Sequence, residues 1–201
     1  MTTPTQTFYP KLSPHFGGEE CVAGARKRTN AGTLRDPGPL PPLIEARMRA
    51  LAVRILEPWR SQVGAIRINR WWANEELNTA QGGVSNSQHL YGEAADCVPI
   101  QMGGAGGGVG ELQLAFEKLV HNKDVIPTFD QAIFYPHRGF IHVSLKSDRA
   151  EDNYRPASPN REQALFSSAR NSQDSKRYFP YDDYALYLSL GRDAFLSRRK
   201  A

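Results

Sequence analysis

The chain has 201 residues, 40% of them hydrophobic and 23% charged, which is ordinary for a single globular domain with its own core. No run of about 18 apolar residues is present, so we expect no transmembrane helix and no insertion into a membrane. The formal net charge of +4 favours anionic partners weakly, but no motif for reading nucleic acid accompanies the scattered basic residues, and we expect no nucleic-acid partner.

The N-terminal part of the chain, residues 1–41, predicts an extended, loop-rich lead-in because proline and glycine are frequent there. Its first residues contain no basic segment followed by an apolar one, so we expect no Sec signal peptide and synthesis in the cytoplasm. The two cysteines, Cys21 and Cys97, form no CxxC pair, and they predict neither a disulfide scaffold nor a thiolate zinc site.

The first regular element is an amphipathic helix that begins at Pro42 and ends near Gly64. Its apolar residues recur every three or four positions, and Pro58 implies a kink or a tightened last turn. Two short apolar runs then predict strands, one over residues 65–69 and the other over residues 93–100.

The second half of the chain begins with a glycine-rich run, residues 103–110, which lacks the Lys-Ser/Thr of a phosphate-binding loop and predicts a flexible connection. Residues 111–122 predict a helix, and the β-rich runs at 129–136 and 139–146 predict a hairpin or adjacent strands. Residues 149–177 are polar and predict a surface excursion. A final helix is predicted near the C-terminus, with an apolar stripe formed by Tyr184, Tyr187, Leu188 and Phe195.

This order of elements is typical of an α+β fold, with a small, largely antiparallel sheet and flanking helices. We expect residues 1–148 to form the functional domain. Residues 149–201 are expected to add the polar excursion and a C-terminal helix that packs on that domain.

The segment that most suggests chemistry is S-N-S-Q-H-L-Y-G-E-A-A-D-C, residues 85–97. His89 lies seven positions before Asp96, and Gly92 between them permits a positive φ or a close approach of the backbone. Ala94 and Ala95 are small enough to leave room for a metal ion. Taken alone, the pair is also explained by a surface histidine and a hydrogen-bonded loop aspartate.

A catalytic zinc ion needs a third protein ligand, and the chain offers five histidines. His142 lies in the alternating run F-I-H-V-S, which predicts a strand and gives its side chain a fixed direction. A histidine in such a run is also explained as a hydrogen-bonded residue of the core.

The run S-Q-H-L-Y-G-E-A-A-D resembles the S-x-H-x-x-G-x-A-x-D motif of the zinc D-Ala-D-Ala carboxypeptidase family. That family includes bacterial cell-wall peptidases and phage endolysins, and it is related in fold to lysostaphin-type enzymes and hedgehog N-terminal domains. Other segments resemble the same family in the same order, and the resemblance covers about residues 11–148. These segments are L-S-P-H-F-G-G-E-E-C, I-L-E-P-W-R, E-L-N-T-A-Q-G-G-V-S-N-S-Q-H, F-D-Q-A-I and F-I-H-V-S.

The resemblance implies that His89, Asp96 and His142 bind a Zn²⁺ ion, and that Ser87, the serine of the motif, supports the first ligand, His89. Ser87 is also a candidate for substrate binding. The resemblance further implies a zinc metallopeptidase that hydrolyses an amide bond of the peptidoglycan stem peptide, as a carboxypeptidase or an endopeptidase. Without a signal peptide, such a protein would act at the cell wall or periplasm as a phage-type endolysin, or be carried in a virion with other virion proteins.

The chain departs from the family at the S-G-Y-R segment, whose arginine binds the carboxylate or oxyanion of the substrate. The position of that arginine falls on Ala73. Arg70 or Arg67 is the candidate replacement, and we assign Arg70 to substrate binding because a guanidinium binds a carboxylate through two parallel hydrogen bonds.

A second departure concerns the acidic residue that such enzymes place a few positions before the last histidine, where it transfers protons during hydrolysis. Tyr135 stands about where that glutamate is expected. His137 and Asp130 are therefore the candidate catalytic residues, and Glu93 is an alternative carboxylate that would reach the site from elsewhere in the fold. The missing acid also motivates an alternative, in which the domain keeps the fold and the metal but serves as a catalytically inactive binding or virion structural module.

Overall fold

In a computed structural model of the chain, the described residues are 9–24, 38–80, 83–100, 108–146, 160–171, 174 and 178–199. They form the predicted α+β fold, with a six-stranded, mostly antiparallel sheet and helices beside it. Most of the glycine-rich run lies outside the described residues. Among the described residues, no helix combines the length and the apolar composition that crossing a bilayer requires.

The predicted first helix is present, but its middle is wider than a regular α-helix. It consists of α1 (Pro42–Leu51), a π-helical segment (Ala52–Leu56) and α2 (Glu57–Val63). Pro58 has no N–H to donate to the carbonyl four residues earlier, and the wide turn before it accommodates that missing bond. The helix therefore widens before Pro58 and does not tighten after it.

The sheet contains six strands in the order β1-β2-β4-β3-β5-β6, and β3 and β5 are the parallel pair of neighbours among these strands. The bounds are β1 (Ile66–Arg70), β2 (Ala94–Pro99), β3 (Gln131–Tyr135), β4 (Phe140–Ser144), β5 (Gln163–Ser167) and β6 (Tyr178–Pro180). The first four strands lie where the sequence predicts strands. Strand β5 lies within the segment predicted as a surface excursion, and that prediction is wrong there because Phe166 is fully buried in the core.

The remaining helices of the described residues are α3 (Glu75–Ala80), α4 (Val109–His121), α5 (Tyr184–Leu190) and α6 (Arg192–Arg198), with short 3₁₀ helices at Gly18–Val22, Gln88–Tyr91 and Tyr181–Asp183. The predicted C-terminal helix is interrupted at Gly191, whose φ of 76° ends α5. Three members of the predicted apolar stripe, Tyr184, Tyr187 and Phe195, are buried, whereas Leu188 is exposed.

The two faces of the sheet have different surroundings because side chains alternate along each strand. The inner face carries Cys97, Phe134 and Ile141, which belong to the main core beneath the helices. For example, Phe134 contacts Phe116 of α4 at a ring-centroid distance of 5.6 Å. The outer face carries a smaller apolar cluster, Val98, Ile133, Tyr135 and Phe140, beside polar side chains.

Candidate metal centre

Polar side chains from adjacent strands form a row on the outer face of the sheet. Arg70 pairs with Asp96 across β1 and β2, and Asp96 pairs with His142 across β2 and β4. His142 Nδ1 lies 2.8 Å from Asp96 Oδ1, and His89 Nε2 lies 3.4 Å from the same oxygen. One ligand atom of each of the three residues lies within 4.8 Å of the others. The fold therefore brings together the three side chains predicted as metal ligands, His89, Asp96 and His142, which we call the triad.

His89 is held in one tautomer by a main-chain contact. Its Nδ1 atom lies 2.8 Å from the carbonyl oxygen of Trp71. A carbonyl oxygen only accepts hydrogen bonds, so Nδ1 carries the hydrogen and Nε2 of the neutral ring presents a lone pair toward Asp96. Burial lowers the pKa of His89, against the opposing effect of Asp96, and this shift favours the neutral ring that a metal requires.

Asp96 is ionised in this arrangement. Burial alone would raise the pKa of its carboxyl group, but the neighbouring imidazoles of His89 and His142, the latter in hydrogen-bond contact at 2.8 Å, outweigh burial and hold the pKa far below its ordinary value. The side chains of Asp96 and His142 remain 17% and 13% exposed. A ligand bound to them would therefore be reachable from solvent.

The small residues between the first two predicted ligands have separate roles. Gly92 has a φ of 70°, and a Cβ atom there would lie 2.8 Å from Met48 Cγ and 2.9 Å from the carbonyl oxygen of Ile44. Ala95 lies on the inner face and belongs to the main core. The expectation that Ala95 leaves room for a metal is therefore wrong, since its small size serves packing under the helices.

Two imidazole nitrogens and one carboxylate oxygen form a donor set that suits Zn²⁺, and catalytic zinc sites have three protein ligands and an open fourth position. The bare Nε2 atom of His89, the ionised Asp96 and the partial exposure of His142 all fit this requirement. We conclude that the residues of this site fit the ion that the resemblance implies.

The three side chains lie in the wall of a cleft of about 530 Å³. Three guanidinium groups also line it, from Arg70, Arg138 and Arg161. Asp96 is the one carboxylate among the described residues that line this cleft. Ser87, predicted on the substrate side, is another lining residue and precedes the 3₁₀ helix that carries His89. Among the described lining residues, the cleft therefore carries more basic than acidic side chains.

Of the two candidate substrate-binding arginines, Arg70 lines the cleft. Its Nη2 atom donates to Asn78 Oδ1 at 2.7 Å, while its buried Nε atom has no hydrogen-bond partner among the described residues. Arg67 is exposed on β1 and bonds to Asn69 instead. The guanidinium of Arg70 is thus the one placed beside Asp96.

Asp130, a predicted catalytic residue, is completely buried beneath the cleft. Its Oδ2 atom accepts a hydrogen bond of 2.6 Å from Arg161, and its Oδ1 atom accepts bonds of 3.0 Å from the backbone and the side chain of the same arginine. Gln88, the neighbour of His89, donates to Asp130 Oδ2 at 3.0 Å. Asp130 therefore has a structural role, because its bond with Gln88 holds the 3₁₀ helix that carries His89.

The other predicted proton carriers also lie away from the triad. His137 is in the turn between β3 and β4, and its Nε2 atom lies 2.6 Å from the hydroxyl of Tyr187. Glu93 is 1% exposed and its carboxylate lies 3.5 Å from the amide of Gln88. The structure does not bring His137, Asp130 or Glu93 into the cleft.

Tyr135 lines the cleft at the position where the resemblance predicts an acid. Its hydroxyl lies 3.1 Å from the hydroxyl of Tyr178 on β6. Burial raises the pKa of Tyr135, with a further contribution from Tyr178, so the phenol stays protonated. The hydroxyl can donate a hydrogen bond, but it cannot act as a carboxylate base.

The cleft residues that sequence patterns do not predict include Arg138, Arg161 and Tyr178. Arg138 follows His137 in the turn between β3 and β4, where strand alternation does not fix the direction of a side chain. Arg161 and Tyr178 come from segments that the resemblance does not cover, and their sequences carry no motif.

The chain is similar to a known family of peptidases over more than half of its length. A family described as Peptidase M15 matches residues 29–144, which include all three members of the triad. No curated protein matches the chain significantly. Arg161 and strands β5 and β6 lie beyond the matched residues.

Proposed function

Because the chain belongs to the peptidase M15 family of zinc D-Ala-D-Ala carboxypeptidase-like enzymes, we propose that it is a zinc peptidase that cleaves an amide bond of the peptidoglycan stem peptide. The observation that carries the proposal is the convergence of His89, Asp96 and His142 in the wall of an open cleft. Either a carboxypeptidase or an endopeptidase activity is consistent with this cleft.

The residues of the cleft would have distinct roles in binding the metal and the substrate. His89, Asp96 and His142 would hold Zn²⁺, which supplies Lewis acidity toward the scissile carbonyl and the attacking water. The Trp71 carbonyl fixes the ring of His89, so that its Nε2 atom is presented without reorganisation. Arg70 would bind a carboxylate or carbonyl oxygen of the substrate close to Asp96, and the hydroxyl of Tyr135 would donate to a second substrate oxygen.

The proposal is tested by measuring bound zinc together with hydrolysis of purified cell wall and of synthetic stem peptides, with and without a chelator. We expect about one zinc ion per chain and hydrolysis that the chelator abolishes. Asp96→Asn and His142→Ala should lose both the bound zinc and the hydrolysis. Their zinc affinity should fall by more than about 100-fold, because the loss of a residue that only supports a ligand typically costs about 10- to 100-fold.

His121→Ala is the matched control, because His121 is exposed at the end of α4 and does not line the cleft. It should retain both zinc and activity. Zinc binding without cleavage of wall from several hosts, or of any stem peptide, would show that the chain is not a peptidase.

A second candidate function rests on the composition of the cleft, where Asp96 is the one carboxylate among the described lining residues. In this alternative the chain binds zinc and stem peptide without hydrolysis, as a binding or virion structural module. Replacing Tyr135 with glutamate then supplies the missing acid. Hydrolysis that is absent from the natural chain, appears in Tyr135→Glu and stays absent from the neutral Tyr135→Gln would establish this second function.

We propose that the protein acts at the cell wall, which it would reach either through a phage-encoded membrane pore, as an endolysin, or as part of a virion. Fractionation of infected or expressing cells and of purified particles distinguishes these two locations.

A further inference from the structure

One wall of the cleft is built from stacked aromatic rings with an arginine above them. Tyr135 and Phe140 are direct cross-strand partners at the turn end of β3 and β4, and their rings stack at 4.4 Å with an angle of 20° between planes. The guanidinium carbon of Arg138, in the turn, lies 4.8 Å from the ring centroid of Phe140 and 5.3 Å from that of Tyr135. These contacts fix Arg138 at the cleft through aromatic faces.

The groups at this wall donate hydrogen bonds. The Arg138 guanidinium can only donate hydrogen bonds, because it carries five N–H donors and no acceptor. The Tyr135 and Tyr178 hydroxyls share one hydrogen bond. Two hydroxyls carry two hydrogens, so one hydrogen of the pair is left to donate to a ligand. A group that accepts several hydrogen bonds and carries negative charge suits this set of donors.

This wall lies on a different side of the metal triad from Arg70. Phe140 is two residues from His142 on β4 and on the same face, so it is about 7 Å away along the strand. Arg70 lies at the same register as His142 but two strands away, about 10 Å across the sheet and perpendicular to that direction. An extended peptide advances about 3.3–3.6 Å per residue. A peptide cut at the triad would therefore place a group about two residues from the cut bond at the Arg138 wall.

We propose that Arg138, with the Tyr135–Tyr178 hydroxyl pair, forms a subsite for a carboxylate of the peptide substrate about two residues from the bond that is cut. This inference rests on the proposed peptidase function, since it names the substrate class that the same cleft selects. It makes the chain specific for peptides that keep that carboxylate free. The corresponding carboxamide would bind more weakly. Its oxygen is neutral, and its amino group is a hydrogen-bond donor that would face the donors of Arg138 and the tyrosine hydroxyls.

The test measures binding by calorimetry to the zinc-loaded protein and to the metal-free protein. The probes are a synthetic stem tetrapeptide and the versions in which one carboxylate at a time is replaced by a carboxamide. We expect the natural chain to bind one carboxamide version about ten-fold more weakly than the parent peptide. Arg138→Gln should remove that difference, and Tyr178→Phe should reduce it.

Arg54→Gln is the matched control, because Arg54 is exposed in the π-helical segment and does not line the cleft. It should keep the full ten-fold preference. Equal binding of all the peptides by the natural chain, or an unchanged preference in a folded Arg138→Gln variant, would overturn the subsite. If the protein prefers the carboxylate peptide over the carboxamide and this preference depends on Arg138, but no peptide is cleaved, the subsite is supported and the proposed peptidase function is contradicted.

Discussion

Gly92 occupies a position where a side chain is excluded for two separate reasons. Its φ of 70° is unfavourable for an L residue, and a Cβ atom would lie under 3 Å from Met48 and from the backbone of Ile44. Because Gly92 lies between His89 and Asp96, helix α1 is pressed against the turn that carries the first two members of the triad. The contact makes the turn part of the packed structure.

We expect Gly92→Ala to lower the free energy of unfolding by about 3 kcal/mol, from about 1 kcal/mol for the left-handed backbone and about 2 kcal/mol for the crowded contact. Urea unfolding followed by circular dichroism measures this change. Gly139→Ala is the control, since its φ is 69° and a Cβ atom there meets nothing within 4 Å. It should lower the free energy of unfolding only by the backbone contribution of about 1 kcal/mol. An equal decrease in both variants would show that the contact with α1 does not contribute to stability.

The three triad residues are predicted by the family resemblance. Without it, the spacing of His89 and Asp96 is equally explained by a surface histidine and a loop aspartate, and the alternation around His142 by a core histidine. The role of Ala95 and the burial of Asp130 were not predictable in the same way. They depend on which face of a strand meets a helix and on an arginine, Arg161, that lies 31 residues further along the chain.

At the scale of elements, the unexpected feature is β5, which pairs in parallel with β3. The pairing begins where Asp130 and Arg161 hold the two strand entrances together through three hydrogen bonds. Burial by itself would raise the pKa of Asp130, but the bonds and charge of Arg161, with a bond from Gln88, lower it below its ordinary value. The ion pair therefore stabilises the folded state only while Asp130 is ionised.

We expect Asp130→Asn to lower the free energy of unfolding by about 2 kcal/mol at neutral pH, because Arg161 loses its charged partner. A carboxyl group with a lowered folded pKa stabilises the fold above its unfolded pKa of about 3.9, and this contribution disappears as the pH falls through the folded pKa. The difference between the two proteins should thus shrink below about pH 4 in urea unfolding measured from pH 7 to pH 3.

Asp193→Asn provides the comparison for this prediction. Asp193 also pairs with an arginine, Arg192, but its side chain is 83% exposed. An exposed pair of this kind contributes less than about 1 kcal/mol. Equal effects of the two substitutions, or a difference that does not depend on pH, would contradict the structural role of Asp130.

Strand β5 could not be predicted from the sequence, and the reason is physical. The run Q-A-L-F-S is short, follows a polar segment and has no turn signal that links it to β3, so its sequence is compatible with a surface loop. Its assignment depends on Phe166, which contacts Tyr184, Tyr187 and Phe195 at ring-centroid distances of 5.0–5.9 Å. Contacts of this range join segments that are far apart in sequence, and local patterns do not reveal them.

At the scale of the whole molecule, the aromatic residues of the C-terminal part belong to the same core as α4 and the first four strands. The predicted division into residues 1–148 and 149–201 can therefore be tested directly. A chain that ends at Asp148 would expose Phe134, which contacts Tyr181 and Tyr184 at 6.2 Å and 5.2 Å between ring centroids.

We expect this shortened chain to lack a cooperative unfolding transition in urea, because removing one buried phenylalanine alone costs about 3–5 kcal/mol and the truncation removes several buried aromatic residues. Leu188→Ala in the full chain is the control. Leu188 is 59% exposed, and the substitution should change stability by less than about 0.5 kcal/mol. Cooperative unfolding of the shortened chain at the midpoint of the full chain would support two separate units.

Asp96 and His142 face each other from neighbouring strands, yet they lie 46 residues apart in sequence. An ion shared by the two would act as a reversible cross-link that closes a large loop of the unfolded chain. By the loop-closure reasoning used for disulfides, a link across such a loop is worth about 4 kcal/mol when the unfolded chain is also held by it. The same three side chains that face the substrate would thus make the central strands resistant to separation, so a chain loaded with metal before it meets a protease would survive longer than an empty one.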